Sequence, residues 1–71
     1  MDKELLLENL KALRQALEEL DMDAMDQCME KIEEFPVSEE ISGLIEELGA
    51  HVINMDTEKA IPLVEELRKK V

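Results

Sequence analysis

His51 is the only histidine in the 71-residue chain and the first residue to weigh for chemistry. It follows Leu48 by three positions, on the shoulder of an apolar stripe, where an imidazole keeps one edge in water. A helical histidine so placed can accept a phosphoryl group, and it can equally be a boundary residue. Cys28 is the only cysteine, so no internal disulfide can form, and a reducing cytosol suits a lone thiol. At its position in an apolar stripe it reads as a small packing side chain.

The carboxylates are many but poorly arranged for catalysis. Asp21, Asp23 and Asp26 suggest a calcium loop, yet such a loop needs glycine at its sixth position and glutamate at its twelfth. Counted from Asp21, those positions hold Asp26 and Ile32. Adjacent pairs such as Glu18-Glu19, Glu33-Glu34 and Glu46-Glu47 lie on helix surfaces, whereas acid–base work needs a cleft that separates two pKa values. No zinc-ligand spacing and no glycine-rich phosphate loop is present. These patterns call for no metal, no cofactor and no enzymatic activity.

The elements that would position such residues are helices. Leu6, Leu10, Leu13, Leu17 and Leu20 alternate spacings of four and three, one seam along a helix expected from about Asp2 to Leu20. Ala12 and Ala16 lie beside the seam, while Leu5 and Leu7 widen it and offer a second contact surface. Asp21-Met22-Asp23 forms a corner, with Asp23 or Asp21 as cap. A second helix then carries Met25, Cys28, Met29, Ile32 and Phe35. Phe35-Pro36-Val37 breaks the pattern, because proline lacks the amide hydrogen that a helix needs. Ser38 caps a third helix with Ile41, Leu44, Ile45, Leu48 and Val52 on one face, containing Gly43 and Gly49, either close-approach points or slack. Asn54-Met55-Asp56 forms a second corner. Asp56 or Thr57 opens a fourth helix bearing Ala60, Ile61, Val64, Leu67 and Val71, in which Pro62 predicts a kink or a late start. The helices repeat weakly at an offset of 32, and the corners at 33. The expected fold is all-α: one domain, a four-helix bundle of two antiparallel hairpins, 1–35 and 38–71.

Nineteen acidic residues against eight basic ones give a formal net charge of −11. That field repels phosphate backbones and anionic lipid, so neither nucleic acid nor membrane is an expected partner. No stretch approaches the roughly 20 apolar residues of a membrane span, and the Leu5-Leu6-Leu7 run is too short for a signal peptide. A cytoplasmic location is expected.

The segments Ala16-Leu17-Glu18-Glu19-Leu20-Asp21-Met22-Asp23, Met29-Glu30-Lys31-Ile32-Glu33-Glu34-Phe35 and Asn54-Met55-Asp56-Thr57-Glu58-Lys59-Ala60 carry a family likeness. With them, the chain resembles the acidic C-terminal helical segments of bacterial hybrid sensor kinases and receiver-containing proteins. Those segments correspond to histidine-phosphotransfer domains or their degenerate relatives. The family motif sets alanine before the histidine, with leucine, lysine and glycine after it. Ala50-His51 matches its front, but Asn54 stands at the lysine position and Met55 at the glycine, the pattern of a degenerate relative. The resemblance implies a non-catalytic interaction module in two-component-type signalling, with a receiver or sensor kinase domain as protein partner. Leu5, Leu7, Met22, Met25 and Met29 are the candidate contacts, and helix one could pair two copies as a homodimer. The alternatives are phosphoryl acceptance at His51 and a structural helical fragment of a larger signalling protein.

Overall fold

The computed structural model describes residues 3–71. Four helices follow one another: α1 (Lys3–Glu19), α2 (Met22–Glu33), α3 (Glu39–Ile53) and α4 (Thr57–Lys70). No strand occurs among the described residues. The expected start of helix one at Asp2 lies outside them. α1 packs on α2 and on α4, α3 packs on α4, and α2 packs more lightly on α3. The protein is a small four-helix bundle. It measures 28 × 18 × 18 Å, so its long dimension is about that of one 17-residue helix at ~1.5 Å per residue.

The apolar stripes converge where their periodicity places them. Leu6, Leu10, Leu13 and Leu17 from α1 are buried with Met25, Met29 and Ile32 from α2. Ile45, Leu48 and Val52 from α3 join Ala60, Val64 and Leu67 from α4. Cys28, Phe35, Ile41, Leu44, Ile61 and Val71 pack half-buried against this core. No polar or charged residue is buried among the described residues, so the fold rests on apolar burial and helix packing rather than an internal polar network. At its surface, Arg14 joins Glu65 of α4 and approaches Glu18 of its own helix (3.2 Å), while Arg68 shares the same Glu65 oxygen (3.2 Å). Exposed pairs of this kind contribute about 0–1 kcal/mol each.

Both hairpins turn by the same device. Leu20 and Met55 have positive φ, 58° and 59°, the left-handed conformation that closes a helix. At the first corner the Leu20 amide donates to the Leu17 carbonyl (3.4 Å) and the Asp21 amide to the Ala16 carbonyl (2.9 Å). At the second, the Met55 amide donates to Val52 (3.0 Å) and the Asp56 amide to His51 (2.8 Å). The residue after each left-handed one caps the next helix, the Asp21 carboxylate accepting from the Ala24 amide and the Asp56 carboxylate from the Lys59 amide. One helix is therefore closed and the next opened by neighbouring residues.

Several expectations are corrected by these corners. Leu20 leaves the leucine seam and faces solvent, because its left-handed backbone breaks the helical phase. Of the two expected caps, Asp21 is the one that serves, so Met22 and Asp23 already belong to the first turn of α2. The repeat period is 35 rather than 32 or 33: that offset superimposes Leu20 on Met55 and Asp21 on Asp56. The same shift pairs the core, with Leu10 on Ile45, Leu13 on Leu48, Leu17 on Val52, Met25 on Ala60, Met29 on Val64 and Ile32 on Leu67.

Three smaller points differ from, or decide between, the expectations. Ala16 is buried but Ala12 is exposed, so only one alanine eases a helix contact. α4 begins at Thr57 and runs on through Pro62. The start at Thr57 rules out a late start, and Pro62 has no amide hydrogen to donate to the Glu58 carbonyl one turn back. A Cβ added at Gly43 would meet nothing within 4 Å, so this glycine is slack rather than a point of close approach.

Two predictions concern stability. At position 20 a Gly variant should be more stable than an Ala variant by about 1 kcal/mol, because only glycine adopts positive φ freely. At position 43 the order should reverse by a similar ~1 kcal/mol, since a helix interior favours alanine. Urea unfolding of the four variants reads both differences. Leu6→Glu, which puts a carboxylate at a site 1% exposed, should abolish the helical circular dichroism signal at 25 °C.

Candidate functional site

Helix order and packing bring both corners to one end of the bundle. Asp26, near the start of α2, lies across a groove from Val52 and Ile53 at the end of α3, while Glu33 lies beside Ser42 and Glu46. α2 and α3 are therefore antiparallel. Lys70, ending α4, pairs with Glu40, opening α3 (2.6 Å), so α4 runs antiparallel to α3 as well. That Lys70 contact holds the Glu40 carboxyl below its ordinary pKa, through a hydrogen bond first and charge attraction second. It marks the opposite end of the molecule.

At the corner end four large apolar side chains face water: Leu20 (59% exposed), Met22 (59%), Ile53 (82%) and Met55 (38%). Leu20 and Met55 hold left-handed positions, where a leucine or methionine costs about 1–2 kcal/mol relative to a right-handed backbone. Glu19, Asp21, Asp23 and Asp26 flank the first pair, and Asp56 and Glu58 the second. Lys59 offsets part of this charge by approaching Asp56 (3.9 Å). Cations gather elsewhere, with Arg68, Lys69 and Lys70 in the last turn of α4.

The sequence-expected contacts divide between surface and core. Met22 belongs to the exposed end, whereas Met25 and Met29 are buried at 1% and 6% exposure and fill the space between helices. Leu5 is exposed on the first turns of α1, and Leu7 packs half-buried against the core. Leu20, Ile53 and Met55 were not among the expected contacts. Helical spacing assigned Leu20 to the core, and nothing in composition distinguishes Met55. The available signal for Leu20 and Met55 was the aspartate following each, which caps the next helix and so marks the end of the one before.

His51 occupies the last turns of α3 with its side chain 22% exposed. Its Nδ1 lies 4.0 Å from an Asp56 carboxylate oxygen, and its carbonyl accepts the Asp56 amide. A phosphoryl group on this ring would face a neighbouring carboxylate. Cys28 is half-buried, and desolvation pushes its thiol pKa up despite the opposing charge of Lys31. Among the described residues, no group of three or more His, Cys, Asp and Glu side chains could hold a metal ion. No described helix is long and apolar enough to cross a membrane.

No family model, curated protein or solved structure matches this chain.

The raised Cys28 pKa yields a test. Only the thiolate reacts with iodoacetamide, so at pH 8 the native protein should be alkylated several-fold more slowly than the urea-unfolded chain. Equal rates would show that the thiol is not desolvated.

Proposed function

We propose that this chain is a non-catalytic protein–protein interaction module that docks a partner through the corner end of its bundle. The observation that carries this reading is the set of four exposed apolar side chains at one end, two of them on left-handed backbone. Soluble surfaces carry scattered apolar residues, but a gathering at one end, kept against a conformational cost, is a feature that binding would retain. The resemblance to degenerate phosphotransfer segments supports a setting in bacterial two-component-type signalling, with a receiver or sensor kinase domain as partner.

The geometry around His51 favours the non-catalytic reading over phosphoryl acceptance. The ring is mostly covered, a carboxylate lies beside it, and Asn54 and Met55 replace the lysine and glycine of the family motif. A homodimer through helix one has little to build on, since Leu5 is exposed there while Leu7 already packs inward.

Two experiments test the proposal. Purified domain, shown to be folded, should take up no label from a panel of phosphorylated receiver domains. Transfer to the wild type but not to His51→Ala would establish a working relay instead. Tagged wild type should retain at least one protein from the cells that make it that a folded Met22→Ser/Ile53→Ser variant loses. Identical retention profiles would overturn the corner end as the docking surface.

A further inference from the structure

The light contact between α2 and α3 leaves a groove. Between α2 and α3 it measures about 220 Å³ and opens beside Ile53 onto the corner end. Its apolar part is the exposed Ile53 over a floor of nearly buried Met29 and Val52, and one wall carries Asp26, Glu30 and Glu33. Those three acids recur at spacings of four and three, so they line one face of α2. Gly49 belongs to the opposite wall, where an added Cβ would stand 3.5 Å from the Met29 methyl. With no side chain at Gly49, the space beside the Met29 methyl stays unfilled.

The charge of the wall selects the occupant. No lysine, arginine or histidine lines the groove, and none of the three carboxylates appears among the ion pairs of the described residues. A second copy of this chain would bring its own −11 charge against the wall, a repulsion that disfavours self-association. A segment with cations beside an apolar face meets both requirements, placing aliphatic side chains against the exposed Ile53 and ammonium or guanidinium groups on the acids.

We propose that the α2–α3 groove receives a basic amphipathic segment of a partner protein, seated with its apolar side towards Ile53 and its cations on Asp26, Glu30 and Glu33. This inference rests on the interaction-module reading and adds the site and the chemistry of the partner.

The test uses ¹⁵N-labelled protein and two synthetic amphipathic peptides with the same leucine face, one with lysine and one with glutamate on the polar face. The lysine peptide should shift the amides of Asp26, Gly49, Val52 and Ile53, and its binding should weaken as salt rises. Glu30→Lys/Glu33→Lys, with unchanged circular dichroism, should weaken it about tenfold or more. The glutamate peptide should leave the groove unshifted. If both peptides shift the groove equally, the charge rule is overturned while the docking reading survives. If the lysine peptide moves amides on every acidic face, or none, the groove is overturned as a site. The module reading is then judged by the retention experiment alone.

Discussion

The structure depends on two residues that hold positive φ. Leu20 and Met55 reverse the chain without a loop, each ending one helix while the aspartate beside it begins the next. A domain of this size has little apolar area to spare, and long connections would add ordering entropy with no burial in return. Coupling a helix stop directly to a helix start keeps the hairpins short and their apolar faces opposed. The core therefore repeats at the period of the corners, every buried position of α1 and α2 from Leu10 to Ile32 having a counterpart in α3 and α4 except Ala16, which falls on half-buried His51.

The helices and most of the core were legible in the sequence, because spacings of three and four recur wherever a face is buried. The corners were not. Offsets of 32 and 35 differ by three residues, close to one helical turn, so either keeps an apolar stripe approximately in phase. Only backbone conformation separates them, and leucine and methionine give no compositional warning of left-handed geometry as glycine would. For the same reason Leu20 looked like the last rung of a seam, and Met22, Met25 and Met29 looked like one surface. In the fold, Met22 turns outward while Met25 and Met29 fill the core.

The functional reading follows from that misassignment. Of the four residues exposed at the corner end, Met22 is an expected contact, whereas periodicity sends Leu20 inward and leaves Ile53 and Met55 unremarked. Among the acids, Glu19, Asp21, Asp23, Asp56 and Glu58 flank the corners and Asp26, Glu30 and Glu33 line one wall of the α2–α3 groove, while the last turn of α4 carries a cluster of cations. His51, the most chemically suggestive residue in the sequence, lies beside Asp56, its carbonyl helping to close α3. On the proposed reading, an apolar surface framed by carboxylates discriminates among partners by charge.

The most direct test of this account is the backbone conformation of Leu20 and Met55 in solution, measured by NMR from scalar couplings and intraresidue amide–Hα NOE intensities. The account predicts positive φ at both, with strong intraresidue NOEs. Negative φ at either residue would contradict it, because that helix would then continue into the corner, carrying its aspartate cap and exposed apolar side chain to a different face.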